Sequence, residues 1–148
     1  MIEKFENKGI IYSLIIRSDY VPMDIDFITP NNYSQQLGIM ARPAGYVISP
    51  HTHNAITREV EYTKEVLFIR AGKVRVDFYT EDCEYLESTI LKKGDVILLA
   101  YGGHGFNMIE DSEIIEVKQG PYAGDGDKTH FNQKLPSKLI FKNEKYSI

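Results

Sequence analysis

Two histidines, His51 and His53, stand two positions apart in GYVISPHTHNAITREVEYTKEVLFIRAG, the stretch from Gly45 to Gly72. Neutral imidazole is the commonest protein ligand for zinc, iron, copper and nickel, and a carboxylate completes many such sites. On a strand, positions i and i+2 point to the same side, so both rings would share one face. Glu65 opens the apolar run Val66-Leu67-Phe68-Ile69, and His104 sits in the glycine-rich corner Tyr101-Gly102-Gly103-His104-Gly105. One strand cannot encircle an ion, so Glu65 and His104 have to arrive from neighbouring strands. Such a donor set suits a divalent metal with an open position, which polarises a carbonyl or activates water. Glu59 and Glu61 share strand parity with Glu65 and are its rivals as the carboxylate. Two other roles compete with metal binding. The histidines suit acid–base work without a metal, because an unperturbed imidazole titrates near ~6.5. Glu65 suits orienting a histidine from behind rather than binding an ion itself.

The elements that would position these residues are short strands. Ile10 to Ile16 (IIYSLII) is β-branched and apolar, and it stops at Arg17-Ser18-Asp19. Asp24 to Ile28 and Gln36 to Arg42 read as short strands on either side of the Pro30-Asn31-Asn32 turn. Tyr46 to His53 reads as another, with Pro50 marking an edge or an exit from pairing. Glu65 to Ile69 and Val74 to Tyr79 read as a hairpin around Ala71-Gly72-Lys73. Tyr85 to Leu91 and Val96 to Ala100 follow. Phe106 to Ile109 and Ile114 to Gln119 read as a further hairpin, with Phe106 and Met108 assigned to the core and, since they share parity with His104, lumen lining as the alternative. Short strands at this spacing, with polar turns between them, predict an all-β sandwich or barrel. From Gly120 to Ile148 the chain turns polar and turn-rich, which predicts an irregular surface extension; Leu139-Ile140-Phe141 is apolar enough to dock as a terminal strand or to pair with a second subunit.

The spacing of these residues resembles the cupin family. That family's first motif is G-x5-H-x-H followed by E-x6-G; here Gly45 precedes His51-Thr52-His53 by five residues, and Glu65 precedes Gly72 by six. The second motif is G-x5-P-x-G-x2-H-x3-N; here Gly94 is followed after five residues by Ala100, Tyr101 and Gly102, then by His104 and Asn107. The chain departs from the pattern at three places. Eleven residues separate His53 from Glu65 where the family's gap is shorter, Ala100 replaces the proline, and one residue is missing before His104. The resemblance covers about residues 36–117. It implies a conical β-barrel (a double-stranded β-helix, or jelly roll) holding one divalent transition-metal ion, Zn, Fe, Ni or Mn, on His51, His53, Glu65 and His104. It also implies a small-molecule substrate, in the style of compact cupins of sugar and surface-polysaccharide metabolism. Ile10 to Ile16 and Leu139 to Phe141 are apolar enough to need pairing or cover, which predicts a homodimer, as is common in that family. Metal-free nucleotide-sugar isomerases and epimerases, and non-catalytic ligand-binding proteins, are the other readings the family offers.

Composition sets the outer bounds. The 148 residues suit one domain, with a barrel core at about 36–119, N-terminal strands within 10–28 and the extension 120–148. Hydrophobic residues make up 43% and charged residues 26%, as in ordinary soluble domains. A net charge of -4 argues against a nucleic-acid partner. No apolar run is long enough for a membrane span. MIEKFENKGI lacks the pattern of a secretory signal, and a single cysteine, Cys83, allows no internal disulfide, so the expected compartment is the cytoplasm.

Overall fold

The structure is a computed structural model that describes residues 1–146, the side chains at positions 125 and 144 excepted. It is all-β, as the strand spacing predicts. In chain order the strands are β1 (Ile2–Asn7), β2 (Ile10–Ile16), β3 (Ile25–Phe27), β4 (Gly38–Met40), β5 (Glu65–Ala71), β6 (Lys73–Tyr79), β7 (Tyr85–Lys92), β8 (Val96–Leu99), β9 (Gly103–Met108) and β10 (Glu113–Lys118). Two short 3-10 turns, Gly124–Asp127 and Glu144–Tyr146, lie in the C-terminal extension. None of the described helical turns is long and apolar enough to cross a membrane.

All pairing between these strands is antiparallel. A five-stranded sheet runs β1-β2-β8-β5-β10, a three-stranded sheet runs β7-β6-β9, and β3-β4 form a small ribbon. Among the described residues no sheet closes on itself, so the conical barrel of the sequence reading is met here by open, facing sheets. The chain passes from one large sheet to the other at the β5–β6, β7–β8, β8–β9 and β9–β10 junctions, and from β5 to β10 only β6 and β7 follow each other within one sheet. The two hairpins expected at 65–79 and 106–119 are therefore not hairpins. Their strands are joined by short connections yet pair elsewhere, β5 with β8 and β10, and β6 with β7 and β9.

Gly72 explains the sharp crossing. Its φ of 81° is costly for an L side chain, and a Cβ there would lie 2.2 Å from the Asp111 carbonyl oxygen. The turn is packed directly against the β9–β10 connection, where the Ile109 amide donates to the Lys73 carbonyl at 2.8 Å.

The hydrophobic core fills the space between the sheets. Phe5, Ile15, Leu67, Ile69, Ile97 and Leu99 come from the larger sheet, and Val74, Val76, Phe78 and Leu91 from the smaller. One end of this interior is plugged by Arg17, fully buried at the end of β2. Its guanidinium donates to both Glu3 carboxylate oxygens at 3.0 Å, to Asp95 Oδ2 at 2.9 Å, to Thr89 Oγ1 at 2.8 Å and to the Ile90 carbonyl at 2.8 Å. The Tyr146 ring stacks on it at 3.6 Å. Arg17 thus joins both sheets through a network in which every donor group is used.

The C-terminal extension is not a solvated tail along its whole length. Arg75, Asp77 and Tyr79 alternate with the core residues of β6 and so point away from the interior, yet all three are buried. The extension covers them. Gln133 Nε2 donates to Asp77 Oδ2 at 2.9 Å, and the Phe131 ring lies 5.2 Å from that of Tyr79. Ser88 donates its amide to the Ile140 carbonyl at 2.8 Å and forms a parallel bridge to Phe141, so the apolar end docks on β7.

Candidate functional site

The other end of the interior carries the chemistry. Residues directly opposite one another in antiparallel strands share a face. In the smaller sheet Phe78 pairs with both Glu87 and His104, which places these three side chains in one row on the face that bears Val74 and Val76. In the larger sheet Phe5, Ser13, Leu99, Glu65 and Lys118 form the corresponding row. The rows meet where Glu65 Oε2 lies 3.2 Å from His104 Nε2, a contact that bridges the sheets. Lys118 Nζ stands 3.8 Å from Glu65 Oε1, 3.3 Å from Glu116 Oε1 and 4.0 Å from Asp127 Oδ2.

Glu65 is held below the usual carboxylate range, chiefly by its hydrogen bond to His104. Burial opposes that shift, and the charges of His104, Lys118 and Lys128 reinforce it. An ionised Glu65 that accepts from Nε2–H fixes the orientation of the ring.

His104 reaches this position through the glycine corner before it. Gly102 has a φ of 69°, and a Cβ there would come within 2.5 Å of the Tyr12 ring and 2.6 Å of the Tyr79 carbonyl. The tight corner tucks under Tyr12 and starts β9 at Gly103, in register with Tyr79. At Gly103 a Cβ would lie 3.0 Å from the Phe131 ring, so the docked extension packs closely over this glycine.

His51 and His53 are placed differently from the sequence reading. Residues 41–64 form an irregular, largely exposed arm with no strand in it. Two prolines, Pro43 and Pro50, cannot donate to a ladder, and Gly45 turns the chain at a φ of 84°. The two imidazoles still come together, with ring centroids 5.3 Å apart and planes at 78°. His51 Nδ1 lies 3.0 Å from the Ser49 carbonyl, a contact in which Nδ1 donates. Glu59 and Glu61 are exposed on the same arm, whereas Glu65 starts β5 and faces His104. Among the described residues, no three or more His, Cys, Asp or Glu side chains converge tightly enough to hold a metal. The structure thus brings two of the four expected ligands together at the mouth and the other two together on the arm beside it in sequence.

Several residues of the mouth carry no signal in the sequence. Lys118 is an ordinary strand residue until the β5–β10 register sets it opposite Glu65. Gln119 accepts from the Lys64 amide at 2.6 Å and donates to Gln35 Oε1 at 2.9 Å, which ties the root of the arm to β10. Asp127 accepts from Thr63 Oγ1 at 2.8 Å, so the turn Gly124–Asp127 also returns to this mouth. Phe106 and Met108 share the inward face of β9 with His104 but remain exposed, 38% and 51%, which corrects their assignment to the core. β9 is an edge strand, and the side chains there stand at the opening between the sheets. Comparison of the chain with protein-family models, with curated proteins and with solved structures finds no match.

Proposed function

We propose that the chain is a cupin-type jelly roll that binds one divalent transition-metal ion and acts as a small metalloenzyme on a small polar metabolite, sugar-like in chemistry. The observation that carries the reading is the Glu65–His104 pair, two residues far apart in sequence that meet across two sheets. The repeated passage of the chain between the sheets from β5 to β10 supports the jelly-roll reading, since that architecture winds back and forth between two sheets.

The donor chemistry fits a metal. Two N or O donors about 2.0–2.2 Å from one ion, in adjacent coordination positions, stand roughly 3.0–3.4 Å apart. The His104–Glu65 separation of 3.2 Å lies in that range. His51 and His53 would complete the set from the arm, which runs straight into Glu65, and the backbone hydrogen bond at His51 Nδ1 is the usual partner of a ligating imidazole. A metal bound there would supply Lewis acidity toward a carbonyl or a water molecule. Glu65 and His104 would hold and orient the ion, and Gln119 and Asp127 anchor the root of the arm.

Metal analysis of untagged protein tests this. The expected result is close to one equivalent, lost in His51→Ala and in His104→Ala. Less than about a tenth of an equivalent after reconstitution overturns it.

A second reading rests on Lys118. An imidazole hydrogen-bonded to a carboxylate that also has an ammonium within 3.8 Å suits proton transfer without a metal. In that reading His104 is the acid–base group rather than His51 or His53, which lie on the exposed arm. Turnover of nucleotide-linked keto sugars that resists chelator and His51→Ala but is abolished by His104→Ala would favour it. Tight ligand binding with no turnover in either test would favour a binding protein.

The chain also has a face suited to a second copy of itself. Phe68, Ile115 and Val117 point outward from β5 and β10 and are exposed. Arg70 and Glu113 beside them form an ion pair at 3.3 Å, so both signs of charge border the patch. A patch of that make-up is self-complementary about a two-fold axis, which supports a homodimer.

A further inference from the structure

The two sheets leave a second opening, between the edge strands β1 and β7, on the side away from His104. A cleft of about 170 Å³ lies there. Its deepest lining is aromatic. Phe5 and Phe78 are buried, and their ring centroids are 4.7 Å apart. Tyr12 and Leu86 also border the cleft, and Glu6 and Glu87 bring carboxylates to it.

The two carboxylates are not equivalent. Glu6 is paired with Lys4 at 2.5 Å. Glu87 is only partly exposed and has no hydrogen bond or ion pair among the described residues. Burial pushes its carboxyl above the usual range, and the charge of Lys142 opposes that shift. Glu87 shares the inward face with Phe78, because the two are directly paired. A half-buried carboxylate next to an aromatic floor is a poor place for an anion and a good one for a cation. The chain already sets a cation near one of these rings. Lys142, reaching over from the C-terminal extension, holds its ammonium 5.8 Å from the Phe5 ring centroid and donates to the Lys4 carbonyl at 3.0 Å.

We propose that the β1–β7 cleft binds a small organic ammonium ion, with Glu87 as the ion-pairing group and the Phe5 and Phe78 rings under the alkyl part. Lys142, whose charge already acts on Glu87, is the ligand's internal competitor. Pockets that enclose drug-sized molecules run from roughly 300 Å³ upward, so the smaller volume here sets the ligand at a short alkylamine rather than a nucleotide or an oligosaccharide. Phe78 stands between Glu87 and His104 in the same row, so this site lies on the opposite flank of that ring from the Glu65–His104 pair and does not depend on a metal.

The test uses the full chain, titrated by calorimetry with propylammonium and, separately, with 1-propanol, its neutral analogue of nearly the same shape. Saturable one-site binding of the ammonium, with the alcohol at least about tenfold weaker, is expected. Glu87→Gln should lose about tenfold or more in affinity while keeping the wild-type circular dichroism and melting temperature. Lys142→Met should bind more tightly than the wild type. Equal binding of alcohol and ammonium, undiminished affinity in a folded Glu87→Gln, or no saturable binding even in Lys142→Met would each overturn the proposal. Where Glu87→Gln fails to fold, the comparison of the two probes on the unmodified chain decides by itself.

Discussion

Glu65 and His104 show how far single residues could be read in advance. Both stand at positions set by glycines in the sequence, and the structure joins them at 3.2 Å. Lys118 could not be foreseen, because nothing local to it announces which strand it will face. The pair makes a prediction about pH. A carboxyl held below its ordinary range stabilises the fold fully above the unfolded-state value, about 4.3 for glutamate, and that contribution is lost as pH falls through the lower folded-state value. Glu65→Gln should therefore cost about 1 kcal/mol at pH 7, the worth of one charge-assisted hydrogen bond. The gap between variant and wild type should shrink toward zero as pH falls below about 4. Urea unfolding at a series of pH values measures this, and a gap that stays constant down to pH 3 contradicts it.

At the scale of elements, strand positions were more legible than strand partners. The runs that became β2, β5, β6, β7 and β8 are apolar and β-branched, and their existence follows from composition. Ala71-Gly72-Lys73 gives the same signal for a hairpin as for a crossing between sheets, because both need a residue at positive φ. What separates them is the packing of Gly72 on Asp111, a contact between residues far apart in the chain. β1 was not foreseen, since IEKFEN alternates charge with only one deeply buried side chain, Phe5. The strand expected at 46–53 did not form, and Pro50 within it has no amide to give to a ladder.

Arg17 reads in sequence as a polar stop after an apolar run, yet it ties β1, β2 and β7 to the start of β8. Arg17→Met would leave the Asp95 carboxylate buried without its guanidinium. The expected cost is about 3–5 kcal/mol in denaturant unfolding, and a loss below about 1 kcal/mol would show the network to be dispensable.

For the molecule as a whole, the exposed outer face of β5 and β10 bears on assembly. Light scattering at micromolar concentration should give the mass of two chains, and Phe68→Ser should shift it to one. A single-chain mass for the wild type refutes the dimer. The arm at 41–64 bears on a different property. It is exposed through its middle, and Arg58 within it is open to trypsin. Yet the segments on either side are laced together, since β2 from the first half pairs with β8 from the second and Arg17 is bonded to Asp95. Cleavage at Arg58 should give two bands on a denaturing gel and one native-sized peak on a sizing column, with separate peaks as the contrary result. The arm is thus a natural seam: residues 1–58 and 59–148 form a complementary pair of fragments, suited to reassembly when made as separate chains and to receiving an inserted domain between them.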